Sequence, residues 1–430
     1  MPVAPREVKD VIARHMPLSD FGIVVDLARS RGRRIRDAVT GKTYLDFFSF
    51  YASAPLGMNH PEVRIPPYVA AAKPTNPDVY TVEMAEFVDT FYRVAAPRGF
   101  PHLFLVEGGA MAVENALKVA FDWKVRRNLA LGRGEKGQQV IHFREAFHGR
   151  SGYTLSVTNT ADPRKTLYFP KFPWPRIENP KIRPDLRETL AAERRAVARI
   201  EAAFRRRRHD IAAILIEPIQ SEGGDNHFRP EFLRALRRLA DRHEALLIFD
   251  EVQTGIGLTG RMWAFQHFGV VPDVIAFGKK MQVCGVLAGA RVDEVPRNVF
   301  VEKSRISSTW GGTLTDMVRA TRYLEVIAKE RLVENARTLG KHLLKLLRVL
   351  QAVHPDLVSN VRGLGLMCAM DLPSPGHRER LRKALYAAGL LILPCGERSL
   401  RFRPPLDVTK AELDEGMELI GKALAAATAG

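Results

Sequence analysis

Between about residue 100 and residue 310, short uninterrupted apolar runs alternate with stretches of helical periodicity, and this alternation constrains the fold more than any other feature. The runs fall at 103–106, 140–143, 211–216, 245–249, 274–277 and 286–290. A strand with one wet face alternates polar and apolar residues, so runs that are apolar throughout are expected to be covered on both faces. The covering layers are legible too. Leu186, Leu190, Val197, Ile200 and Phe204 trace one helical stripe, and Phe232, Leu233, Leu236 and Leu239 trace another. The expected class is α/β: a central, mostly parallel sheet flanked by helices. Ligands of such sheets collect beyond the carboxyl ends of the strands.

The two ends of the chain read differently. A short helix, strand-like residues at 24–27 and 44–47, one long helical stretch from about 313 to Val353, strands at 365–370 and 390–393, and a closing helix at 409–427 predict a smaller α+β lobe. Residues 1–80 and 316–430 are expected to build that lobe against a large domain at 81–315. Residues 132–139 and the proline-rich 169–184 read as loops.

Composition excludes several functions. Hydrophobic content of 46% and charged content of 26% are those of a soluble globular protein. The first residues lack an apolar signal core and no run approaches membrane-spanning length, so a cytoplasmic protein without membrane attachment is expected. The three cysteines, Cys284, Cys368 and Cys395, are far apart and set among apolar residues, which makes neither a disulfide framework nor a metal site. Net charge is +17, yet the arginines fall mainly on amphipathic helices. The densest run, Arg205 to Arg208, sits where a helix ends, a place that favours cations. With no basic strand interleaved with aromatics, specific nucleic-acid binding is not expected.

Chemistry gathers just beyond the apolar runs. Asp250 closes one, and Lys279 follows the next in Phe277-Gly278-Lys279-Lys280. A lysine amine that forms a Schiff base and a carboxylate that keeps a pyridine nitrogen protonated are the pair that pyridoxal phosphate requires. A strand cap and a solvated lysine turn are the plainer readings of the same residues. Glu107-Gly108-Gly109-Ala110 joins a strand to a helix read over 111–124, where glycines and a helix N-terminus suit a phosphate or simply a tight turn. In Phe147-His148-Gly149-Arg150 the aromatic ring suits stacking and Arg150 suits a carboxylate, although core packing and a surface ion pair also fit. Glu217 and Glu222 precede Gly223-Gly224 and are placed to hold a cation or an arginine, Glu222 otherwise being a solvated loop residue. Gln253 lies three residues past Asp250, and Arg401 offers a second carboxylate-binding guanidinium. His142 and His148 lack metal-ligand spacing and read as structural or solvent-facing, and no metal site is expected. No dinucleotide fingerprint, P-loop or nucleophile elbow competes.

In order, these motifs resemble the class III, fold-type I pyridoxal-phosphate aminotransferases over essentially the whole chain. Within that class the segments 108–115, 147–154, 224–232, 277–280 and 308–312 are similar to the lysine ε-aminotransferase branch. The resemblance implies that Lys279, not Lys280, carries pyridoxal 5'-phosphate, because Pro272-Asp273 precedes Gly278-Lys279 at the class spacing. It further implies Asp250 at the pyridine nitrogen, Phe147 on the ring and Gln253 at the phenolic oxygen. Gly109 and Ala110 would hold the phosphate, with Thr309 joining from the second subunit of a homodimer. Arg150 would bind the α-carboxylate of L-lysine and Arg401 that of 2-oxoglutarate, with Glu222 neutralising Arg401 when lysine is present. The implied products are 2-aminoadipate 6-semialdehyde and glutamate. Ornithine, 4-aminobutyrate or a diamine is the alternative donor. Two positions depart from the family pattern: Gly108-Gly109 stand where many members have a hydroxyl residue, and Ser307 stands where the lysine branch is expected to have asparagine.

Overall fold

The computed structural model describes residues 3–16, 18, 22–71 and 79–428. Seven strands make the central sheet, in the order His102–Val106, Cys284–Ala288, Val274–Phe277, Leu246–Asp250, Ile211–Ile216, Gln139–Phe143 and Arg176–Ile177. All run parallel except Cys284–Ala288, which is antiparallel to both of its neighbours. Every residue of 211–216, 246–250 and 274–277 is buried, as continuous apolar runs require.

The strands at 102–106 and 139–143 begin one residue before the expected runs, and two others are displaced along the chain, each for a local reason. The run expected at 286–290 occupies 284–288, because Gly285 belongs to the strand: a Cβ there would lie 2.4 Å from the Phe104 carbonyl oxygen. A glycine hides a strand in sequence while permitting close backbone approach in space. The run expected at 245–249 is shifted to 246–250, with Asp250 paired beside Ala276 inside the ladder. The loop expected over 169–184 lends Arg176–Ile177 to the sheet edge.

Helices Gly109–Ala130, Leu186–Arg206 and Pro230–Arg242 cover the sheet. The first is longer than the expected 111–124 because Gly108, with φ 95°, turns the chain directly into it. The single helical stretch expected up to Val353 is two helices, Leu314–Lys329 and Leu332–Val353, broken where Arg331 takes φ 55°.

Both ends of the chain meet in the smaller lobe. Thr43–Asp46 pairs antiparallel with Arg34–Arg36 and parallel with Leu390–Leu391, so the lobe is closed by strands far apart in sequence. Arg33 reinforces this closure through Asp407 at 3.0 Å and Glu412 at 2.9 Å. Residues 24–27 contribute only the isolated bridge Val25–Asp37. The strand expected at 365–370 is the second arm of a hairpin, Ser359–Leu364 with Met367–Asp371, turned at Gly365 with φ 57°. With Ser399–Phe402 and Leu393–Cys395 it forms a four-stranded antiparallel sheet. One apolar cluster runs from Leu247 and Phe277 through Phe47 to Phe402, so the lobe and the central sheet share a core. No helix among the described residues is long and apolar enough to cross a membrane.

Leu247, fully buried in the central strand, tests this packing. Leu247→Ala should lower unfolding free energy by about 3 kcal/mol in urea titration. A loss below about 1 kcal/mol would mean that the site is not enclosed as described.

Candidate active site

The carboxyl ends of the parallel strands converge on one edge, and each delivers a reactive or binding group there. Because Ala276 pairs with Asp250, Lys279 emerges three residues past the paired position on the adjacent strand. Asp250 is only 5% exposed. Its Oδ1 accepts the Val252 N–H at 3.0 Å, and its Oδ2 lies 2.8 Å from His148 Nδ1. His148 is thus neither merely structural nor solvent-facing: it is buried, and the bond to a carboxylate assigns the Nδ1–H tautomer. Its Nε2 is buried without a partner. His142 is also buried, and burial, aided by repulsion from His148 and Arg176, pushes its pKa down to about 3.

Lys279 is half-buried with φ 48°, and its Nζ takes no hydrogen bond among the described residues. Burial lowers its pKa, Arg401 adds repulsion, and Asp250 opposes both. The neighbouring lysine is unavailable. Lys280 is buried, and its Nζ donates to the Gln253 carbonyl at 2.9 Å. Of the two amines, only the first is free to react.

Phe147 is half-buried, with its N–H held by Glu217 Oε1 at 2.9 Å, while Glu217 Oε2 accepts from Ser221 N at 3.0 Å. Burial raises the Glu217 pKa to about 7; His148 and the two N–H donors pull it down, and Asp250 pushes it further up. The Phe147 ring is no plain core residue, since Arg150 Cζ and Lys165 Nζ each lie 5.8 Å from its centroid. Arg150 itself is exposed. Gly109 opens the 109–130 helix, with Ala110 next, and a Cβ at Gly109 would lie 2.8 Å from Val252 Cγ1. The helix N-terminus therefore stands close beside the residues that follow Asp250.

Glu222 bridges two cations. Its Oε2 meets Arg401 Nη2 at 2.8 Å and its Oε1 meets Lys165 Nζ at 2.5 Å. Burial pushes the Glu222 carboxyl upward, but Arg401 and Lys165 outweigh it and hold the group below its ordinary range. Arg401 is 3% exposed. Gln253 Oε1 accepts from Arg401 Nη1 at 3.4 Å and from Arg403 Nε at 3.2 Å. Arg403 in turn pairs with Asp225, and both side chains are fully buried. Thr309 is exposed on the loop before the 314–329 helix and makes no hydrogen bond to the other site residues among the described residues.

Sequence reasoning missed His148 as a partner of Asp250, Lys165 as the second cation on Glu222, and the Arg403–Asp225 pair. Their partners are remote in sequence, so spacing carries no signal. It also missed the left-handed turn at Ser49, Phe50, Tyr51 and Ala52, with φ between 39° and 62°. That strain costs about 1–2 kcal/mol per residue. Two contacts over-determine it: Asp46 Oδ1 accepts Ser49 N at 2.7 Å, and Ser49 Oγ donates to the Arg403 carbonyl at 2.7 Å.

These groups fit pyridoxal phosphate: a buried carboxylate oriented by a buried histidine, a free amine one strand away, a half-buried ring and a glycine-opened helix. Residues 17–424 match the model of the family described as aminotransferase class-III. The chain is a class III aminotransferase. As a member of this class it is pyridoxal-phosphate dependent. The aminotransferase is 54% identical over 437 residues to the L-lysine-epsilon aminotransferase of Mycobacterium tuberculosis, covering 99% of this chain and 97% of the relative. It is 52% identical over 440 residues to the protein of that name from Amycolatopsis lactamdurans, with the same coverage. Among solved structures it resembles lysine aminotransferase from M. tuberculosis in the internal aldimine form, at TM-score 0.95 and 52% identity, covering 99% and 100% of the two chains.

Replacing the buried carboxylate tests the electrostatics of this aminotransferase. Asp250→Asn should lower kcat by about a thousandfold, the scale of an uncompensated buried charge. Single-turnover absorbance reads this directly. A change under about threefold would remove Asp250 from the chemistry.

Proposed function

We propose that this aminotransferase moves the ε-amino group of L-lysine to 2-oxoglutarate, giving 2-aminoadipate 6-semialdehyde and L-glutamate. The observation that carries this reading is Glu222 lying between Arg401 and Lys165 while Arg150 stays exposed beside Phe147. Lysine presents an amine with no carboxylate on the reacting carbon, so a free guanidinium at that end would be a misplaced charge. Glu222 neutralises Arg401, and Arg150 takes the distant α-carboxylate. 2-Oxoglutarate carries a carboxylate next to its reacting carbon, and Arg401 receives it once Glu222 turns away, with Lys165 as the carboxylate's second partner. The close similarity to curated L-lysine-epsilon aminotransferases supports the same donor.

The residues divide the work as follows. Bound pyridoxal phosphate supplies an aldehyde that takes up amines and a ring that accepts the electrons of a deprotonated carbon. Asp250 holds a proton at the ring nitrogen, and His148 fixes the orientation of Asp250. Lys279 would hold the cofactor and would move a proton at the substrate carbon, a task suited to its lowered pKa. Phe147 would stack on the ring, and the Gly109 and Ala110 amides would receive the phosphate. Gln253, held by Arg401 and Arg403, would meet the phenolic oxygen.

The working assembly in this reading is a homodimer. Thr309 is exposed, and it completes the phosphate site of a second copy; Tyr168, 93% exposed, and Tyr80, 86% exposed, leave large apolar surface to be covered. The three buried free cysteines fit the reducing cytoplasm.

A donor panel with 2-oxoglutarate tests the reading, with the semialdehyde trapped after cyclisation to its piperideine. L-Lysine should give the highest kcat/KM; faster turnover of ornithine, 4-aminobutyrate or putrescine would contradict it. Glu222→Ala should shift preference from lysine toward α-amino donors such as glutamate by about tenfold, corresponding to about 1.4 kcal/mol. An unchanged ratio would remove Glu222 from substrate selection.

A further inference from the structure

A cavity of about 910 Å³ lies behind the loop that follows Glu222, walled by residues 181–184, 223–224 and 226–227 and by the four-stranded sheet. Its volume falls in the range of small-molecule sites. Five cationic side chains line it, Lys181, Arg183, Arg348, Arg362 and Arg398, against the two carboxylates Asp371 and Glu397.

Internal pairing removes only part of this excess. Asp371 is already engaged by Arg362 at 2.8 Å, Ser399 at 2.6 Å and Asn360 at 2.9 Å. Lys181 pairs with Glu145 at 2.6 Å. Arg183 donates only to the carbonyls of Lys181 at 3.1 Å and Asn179 at 3.4 Å. Arg348 has no hydrogen-bond or ion-pair partner among the described residues, and Arg398 comes no nearer to Asp371 than 4.0 Å. Glu397 is exposed. Guanidiniums without carboxylate partners, gathered around a concavity, favour clustered anionic oxygens.

A neutral donor accompanies them. His227 lines the same cavity, and its Nε2 is buried with no partner. Burial brings its pKa down to about 4, despite attraction from Asp225, so at neutral pH the ring offers hydrogen bonding without charge. Arg362 ties the cavity to the loop beyond Glu222, donating to the Asp225 carbonyl at 3.0 Å and to the Gly224 carbonyl.

We propose that this cavity is a binding site for a small multivalent anion of the polyphosphate or polycarboxylate class, separate from the site around Lys279. The inference stands independently of the donor specificity proposed above. The test is isothermal titration of holoenzyme, its cofactor phosphate site filled, with pyrophosphate and with citrate at 150 mM NaCl, where diffuse attraction is screened. One anion per chain is expected to bind, and the tighter of the two identifies the source of the charge. Arg183→Ala/Arg348→Ala should weaken binding at least tenfold while leaving transamination unchanged, which also shows that the variant is folded. No binding of either anion at millimolar concentration, or equal binding by the double variant, would overturn the proposal.

Discussion

The register that pairs Ala276 with Asp250 sets everything else in the site. Parallel neighbours place their carboxyl ends side by side, so one residue of slip would turn Asp250 to the other face and separate it from the Lys279 strand. The register is secured by burial on both faces of Leu246–Asp250 and Val274–Phe277, with Leu247, Phe249, Ile275 and Phe277 fully enclosed. The fold spends its most apolar segments on fixing the distance between an amine and an acid.

Around that pair the chain manages charge by burial. Arg401 and Arg403 lie almost wholly out of water, and each is matched by a carboxylate: Glu222 for the first and Asp225 for the second. Desolvating such ions costs several kcal/mol each, so the pairs contribute orientation more than stability. Gln253 accepts from both arginines, and a single amide therefore joins the two buried ion pairs. Arg403 and Asp225 pair with each other, whereas Glu222 has two cationic partners and a glycine pair behind it.

Legibility in the sequence followed the range of the interactions. The sheet was readable because double-sided burial writes itself as continuous apolar runs; Gly285 and Asp250 displaced whole strands, and polar His102 and Gln139 each extended one by a residue. Lys279, Asp250, Phe147, Gly109 and Glu222 stood out because strand ends are short, polar and adjacent to those runs. What sequence reading lost is contact between distant segments. His148 meets Asp250 across 102 residues and Arg403 meets Asp225 across 178, and no periodicity encodes such pairs. The lobe was visible as helices and short strands, but the Leu45–Leu390 pairing that closes it was not. Arg331 broke a helix because an arginine adopted the left-handed turn usually left to glycine.

Chemistry at this site requires one lysine amine to be free while its neighbour is held. Borohydride reduction of the pyridoxal-phosphate-loaded protein, followed by peptide mass mapping, locates the attachment directly. The structure predicts a single reduced adduct on Lys279, with Lys280 unmodified. An adduct on Lys280, or no adduct anywhere, would contradict it.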